Sequence, residues 1–255
     1  MKLYISNIST WCPYDSDHNL PSTKSTSDQA VSNIDFSWPK LDFVPAMQRR
    51  RLSPFAKISL YVANKTLEHD GKTQNLLPIV FSSRHGDIHK TSILLENLAQ
   101  QEMLSPTAFA LSVHNAVPSL YSILTENKAA INAIAAGQDS FFMAIVDAYV
   151  RLASGICDEV LFIHADQNLP EIYDTFKDEQ QIAHSVAMKI SLKESASSHA
   201  IECSYTHNDK AYIEVDNNNN ILLLPAALSF SQWVNNQEIE LNYYSKKYHW
   251  HCKKI

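Results

Sequence analysis

The chain has little of what phosphate-binding and nucleic-acid-binding folds need. Only four glycines occur among 255 residues, Gly71, Gly86, Gly137 and Gly155. They are too scattered for a dinucleotide fingerprint or a phosphate-cradling loop, both of which need glycines at short fixed spacing. Positive charge is scarce too: 21 Lys and Arg against 27 Asp and Glu leave a net charge of -6. That balance offers no field for a nucleic-acid backbone. Cys12, Cys157, Cys203 and Cys252 form no CxxC pair, so reduced thiols and a cytoplasmic location are expected. Apolar runs stay well short of the roughly eighteen residues a membrane span needs, and residues 1–10 carry no leader-like apolar core.

What is present is a chain 45% apolar and 19% charged, able to bury a sizeable core. Residues 1–9 alternate apolar and polar as a first strand, and residues 14–40, rich in Ser, Thr, Asp and Pro, read as a surface loop. Ser53-Pro54 starts a helix through Phe55, Ile58, Leu60 and Val62. The preceding Arg49-Arg50-Arg51 reads as a solvated approach or as a contact for an acidic partner. Residues 76–82 suit a buried strand, and 90–103 an amphipathic helix facing inward through Ile93, Leu94, Leu95 and Leu98. Ser105-Pro106 restarts the chain, and Asn115 with Pro118 marks a further helix.

The organising stretch follows. Residues 129–136, AAINAIAA, read as a strand; Gly137-Gln138-Asp139 as a tight elbow; and Phe141, Phe142, Ile145, Tyr149 and Leu152 share one face of a helix. Acyl-transfer enzymes hold nucleophiles at such elbows, where free N–H groups and the helix dipole favour negative charge. Strands at 159–163 and 186–192 continue an alternation of strand and helix that predicts an α/β layered fold with parallel strands. Beyond residue 192 the expectations are a hairpin of 200–206 with 211–215, a turn at 216–220, a strand at 221–224, a helix over 229–241 around Trp233 and Val234, and a frayed end. No metal site is expected. His85 and His89 are four apart, but Gly86 breaks helix between them, and the His249-Trp250-His251-Cys252 tail has no second cluster at finger spacing.

Ser105-Pro106, Phe109, Asn115, Gln138 and Gly155 together resemble the N-terminal half of the β-ketoacyl synthases. In that family a Ser-Pro is followed by a Phe and an Asn, then thirty-two residues after the Pro by a catalytic Cys, and seventeen further on by a Gly, a spacing this chain matches without gaps. The likeness covers about residues 75–192 well. With Gln-Arg-Arg-Arg-Leu-Ser, Ser-Ser-Arg-His-Gly-Asp and Ala-Gly-Gln-Asp-Ser-Phe, the whole resembles the short synthase-like subunits of aryl polyene biosynthesis, the chain-length-factor partners of a separate ketosynthase. The resemblance implies a thiolase-like fold: one N-terminal-type domain over 1–255, with a core at about 45–192, a mixed sheet with helices on both faces, and a short β-rich extension at 193–255.

The resemblance also implies no catalysis. Condensation needs a thiolate to carry the acyl chain, and Gln138 stands in the nucleophile's place. Decarboxylation needs two imidazoles that the synthases take from a C-terminal half, and His184, His199, His207, His249 and His251 lie in no such context. Expected partners are a ketosynthase and, through it, an acyl carrier protein, with no cofactor. Phe109, His114, Asn115, Ala133, Ala135, Phe141 and Phe142 are the candidates for the interface and tunnel wall. Phe141 and Phe142 on an apolar helix also read as core, and His114 as a ligand of a backbone carbonyl. The alternatives are an acyl-carrier-dependent acyltransferase or decarboxylase using Ser140, or Ser112 with His114, and a homodimeric acyl-binding scaffold.

Overall fold

A computed structural model describes residues 1–14, 24–25, 37–68, 76–208 and 222–255. The strands are β1 (Lys2–Trp11), β2 (Lys24–Ser25), β3 (Ile79–Ser82), β4 (Ile131–Ile134), β5 (Glu159–Asp166), β6 (His184–Ser191), β7 (His199–His207), β8 (Leu222–Leu223), β9 (Glu240–Tyr244) and β10 (Tyr248–Lys254). The helices are α1 (Ala46–Arg49), α2 (Pro54–Glu68), α3 (Ile88–Ala99), α4 (Pro106–Ala110), α5 (Ala116–Thr125), α6 (Ser140–Ala153) and α7 (Ala226–Asn235).

Eight strands form one sheet in the order β4-β3-β5-β6-β1-β7-β10-β9. The strand-helix-strand alternation reads out as expected only where helices return the chain: β3, β4 and β5 are parallel. From β6 onward every neighbour is antiparallel. The link from β5 to β6 contains only a 3-10 turn at Glu171–Phe176, and without a crossover helix two successive strands pair antiparallel. The central strands β5 and β6 are buried almost throughout because helices cover both faces. One face packs Leu3, Ile5, Val80, Phe162 and Met188 against Phe141, Phe142 and Ile145 of α6 and Phe230 and Trp233 of α7. The other packs Phe81, Leu161 and Ile163 against Phe55, Ile58 and Val62 of α2 and Val117 and Tyr121 of α5. The Ser53 side chain accepts from Ala56 N at 3.2 Å, capping α2 as expected.

Three expectations are corrected. The 90–103 segment is a shorter helix, α3, which buries only Leu94 and leaves Ile93, Leu95 and Leu98 exposed. It packs against α4 and lies off the sheet, so its apolar residues find no core. The 229–241 helix is α7, which ends at Asn235, and Glu240 opens β9. The frayed tail is instead β10, an interior strand between β7 and β9 with Trp250 fully buried; alternation of Trp250 and Cys252 inward with His249 and His251 outward is what seats it. Most of the 14–40 loop and the 211–215 and 216–220 segments lie outside the described residues; β7 pairs with β1 and β10.

Candidate functional site

The elbow forms where the sequence places it. β4 ends at Ile134, a 3-10 turn spans Gly137–Asp139, and α6 starts at Ser140. Gly137 has φ +62°, a backbone angle that glycine alone adopts without strain. Ser140 Oγ donates to Gly137 O at 2.7 Å and accepts from Ala136 N at 2.9 Å, so this hydroxyl closes the turn. Gln138 Oε1 accepts the backbone N–H of Lys246 at 3.0 Å, in the bend between β9 and β10. Next to it Asp139, buried, accepts Trp250 Nε1–H at 2.7 Å. Both elbow side chains are thus tied to the last hairpin, more than a hundred residues away in sequence.

Behind the elbow lies a polar cluster within the sheet. His164 and Asp166 are two apart on β5 and so face the same side, the side of Phe141, whose ring centroid is 5.4 Å from that of His164. His184 is the register partner of Asp166 on β6, and Ser82 that of His164 on β3. Ser82 Oγ lies 2.8 Å from His164 Nδ1, and His164 Nε2 lies 3.3 Å from Asp166 Oδ2. The His164 and His184 rings stack at 5.5 Å. Asp166 accepts from Ser83 Oγ at 2.7 Å, from Arg84 N at 2.9 Å and from His85 N at 3.2 Å. Beside these, Arg84 bridges Asp178 at 2.7 Å and Glu179 at 3.4 Å, and Lys246 Nζ reaches Asp178 at 3.0 Å. A void of about 10 Å³ is lined by Gln138, Ser140, Phe141, His164, Asp166, Glu179, His184 and Arg84. Outside it an open cleft of about 510 Å³ is lined by Arg84, His85, Tyr173, Phe176, Asp178 and Lys246.

Burial and mutual charge set the protonation states. Burial alone would raise Asp166, yet the His164 and His184 imidazoles and the Arg84 N–H outweigh it and hold the carboxyl well below its ordinary range. Burial, helped by His164 and opposed by Asp166, lowers His184 to about 4. Burial raises Glu179 to about 7, with Asp166 and Asp178 adding to the effect and Arg84 opposing it. His85 is lowered, chiefly by burial.

The sequence-derived candidates fall into two groups. Phe141 and Phe142 lie wholly inside the core, with Phe142 stacked on Trp250 at 4.9 Å. Phe109 on α4 is exposed, Asn115 stands exposed at the start of α5, Ala135 is exposed, and Ala133 is half-buried on β4. His114 Nε2 donates to Ile134 O at 3.1 Å, closing the end of β4, and Ser112 Oγ donates to Phe109 O at 2.8 Å; each is occupied locally. His89 Nε2 meets Asn168 O at 2.8 Å, while His249 meets Asn242 and His251 meets Glu240. Arg49 bonds Leu41 O and Asp42, leaving Arg50 and Arg51 exposed. His164, Asp166, Arg84 and Glu179 were not among the site candidates read from the sequence. The one signal was the His-x-Asp spacing on a strand, which gains meaning only once His184 is paired across from it.

A mixed sheet with helices on both faces and a strand-elbow-helix at its parallel end defines a synthase-type α/β layer. Residues 23–253 match the family described as β-ketoacyl synthase, N-terminal domain, and the chain belongs to that family. The fold is similar to a chain in the structure of a ketosynthase in complex with its chain length factor from Xenorhabdus doucetiae, at 22% identity over 99% of both chains with a TM-score of 0.78. It is similar also to a β-ketoacyl synthase from Burkholderia phymatum STM815, at 12% identity over 81% of this chain and 64% of that one (TM-score 0.63). The ishigamide ketosynthase/chain length factor is similar at 12% identity over 82% and 68% (TM-score 0.59). No curated protein matches the chain. No helix among the described residues is long and apolar enough to cross a membrane.

Proposed function

We propose that the chain is a non-catalytic, chain-length-factor-like subunit that pairs with a complete ketosynthase in aryl-polyene-type biosynthesis. The observation that carries the reading is Gln138: the residue at the elbow is a carboxamide whose oxygen already holds Lys246 N, above a void fit for one small molecule at most. Such a group neither ionises nor forms a thioester. The equal-length match to a chain of a ketosynthase and chain-length-factor pair adds support.

The pairing surface in this reading is the β4 edge. Among the described residues β4 is an edge strand whose one neighbour is β3, and an edge is the template a second strand needs. The α5 helix packs against β4, and the segment leading into it, tied to the end of β4 by His114, carries exposed Phe109 and Val113. Phe109, His114, Asn115, Ala133 and Ala135 are then the tunnel and interface residues, while Phe141 and Phe142 act from within the core. Native mass measurement after co-expression with the ketosynthase of the same gene neighbourhood tests this. A mixed complex is expected, and Ala135→Arg on the exposed rim should abolish it with the free chain's stability changed by less than about 0.5 kcal/mol. A homodimer or monomer that ignores the ketosynthase, or decarboxylation of malonyl-carrier protein by the purified chain, refutes it.

A further inference from the structure

Among the described residues, one group of three metal-ligating side chains converges: His164, Asp166 and His184, all buried, with ligand atoms within 4.8 Å of one another. We propose that His164 Nε2, Asp166 Oδ2 and His184 Nε2 bind one divalent transition-metal ion of the zinc type beneath the elbow. The site does not depend on the pairing with a ketosynthase.

The first argument is an orphaned lone pair. His184 Nδ1 lies 2.7 Å from Ile182 O, and a carbonyl only accepts, so the ring proton sits on Nδ1. Nε2 then presents a bare lone pair, and that atom is buried without any hydrogen-bond partner. A neutral imidazole whose far nitrogen donates to a backbone carbonyl is the arrangement that orients a metal-binding histidine.

The second argument is geometric. Zinc bonds to nitrogen and oxygen of about 2.0–2.2 Å in a tetrahedral shell place ligand atoms roughly 3.3 Å apart. His164 Nε2 and Asp166 Oδ2 already stand 3.3 Å apart, so only the His184 ring has to close in. The void these residues share, about 10 Å³, is the size of one small occupant. Its remaining wall includes Glu179 and Gln138, so the fourth position opens toward the elbow.

The surrounding bonds complete the shell. Ser82 Oγ, 2.8 Å from His164 Nδ1, donates when Nε2–H bonds Asp166 and accepts from Nδ1–H once Nε2 takes the ion; the proton changes nitrogen and the ring stays neutral. Ser83, Arg84 and His85 fix the Asp166 carboxylate, which retains lone pairs for a cation. The Arg84 guanidinium, which also borders the void, is engaged by Asp178 and Glu179. Two imidazoles and one carboxylate favour zinc-type ions over magnesium or calcium, which prefer oxygen alone.

The test uses the full chain, stripped with chelator and titrated with Co²⁺ and, separately, Zn²⁺. Expected are about one equivalent bound, visible absorption of a four-coordinate Co²⁺ ion, and a melting temperature raised by roughly 5–10 °C at a Zn²⁺ concentration a hundred times the dissociation constant. His184→Gln removes binding, and Ser82→Ala weakens it about 10- to 100-fold while leaving the three ligands in place. Should His184→Gln fail to fold, Ser82→Ala decides. A stripped wild-type chain with no Co²⁺ absorption and no Zn²⁺ shift overturns the proposal, as does wild-type affinity in either variant. Failure here leaves the pairing with a ketosynthase standing, since that is read by native mass.

Discussion

The bond from Trp250 Nε1 to Asp139 Oδ1, 2.7 Å long and buried, makes a measurable claim: the elbow is held from outside its own segment. Asp139→Ala removes a hydrogen bond to a charged group, about 1.5–3 kcal/mol, and leaves the indole N–H buried without an acceptor, a further cost of about 1 kcal/mol or more. At roughly 2–4 °C per kcal/mol for a chain of this size, the melting temperature should fall by about 5–16 °C. Trp250→Phe keeps a ring against Phe142, now stacked at 4.9 Å, and isolates the N–H. The double-mutant cycle of the two, read by urea unfolding followed by far-ultraviolet circular dichroism, should return a coupling of about 1.5–3 kcal/mol. A coupling below about 0.5 kcal/mol, the level of independent sites, would refute the latch.

Three shorter predictions follow from the same residues. Glu179 faces Arg84, Asp166, Asp178 and Tyr243 and is raised from the ordinary 4.5 to about 7. The folded chain therefore holds this proton more tightly, and its contribution to stability falls as pH rises from 4.5 through 7; Glu179→Gln, measured with chelator present, should gain on the wild type by about 3 kcal/mol across that window, and a pH-independent difference defeats the idea. Gln138→Cys should lose about 1 kcal/mol with its bond to Lys246 and acquire no acyl group from acyl-carrier protein by mass spectrometry, because the void behind it is too small for a chain; acylation would reverse the reading of the elbow. Phe141→Ala should destabilise by about 3–5 kcal/mol, as a core residue does, and an effect under 1 kcal/mol would move Phe141 out of the core.

The elbow was legible because three local signals coincide: small apolar residues before it, Gly137 in it, and helix-period aromatics after it. The parallel strands were legible because β3 and β4 are each followed by helices that return the chain to the same end of the sheet. The antiparallel half was not, since β10 is made of seven residues whose alternation is clear only against β7 and β9. His164, Asp166 and His184 stayed hidden because their meeting depends on register: Asp166 and His184 are opposite across β5 and β6, and a one-residue slip would send one of them to the other face. Leu95 and Leu98 misled in the opposite sense, apolar by type yet left outside by a helix that lies off the sheet.

The last hairpin gives the fold an order of events. Gln138 and Asp139 complete their bonds only when Lys246 and Trp250 arrive, so the elbow cannot reach its final set of bonds before the last hairpin is in place. Contacts spanning such sequence distances are the slow ones in folding. During synthesis the nascent elbow stays adjustable until the closing strands leave the ribosome, and any subunit that docks beside it meets its final shape only afterwards.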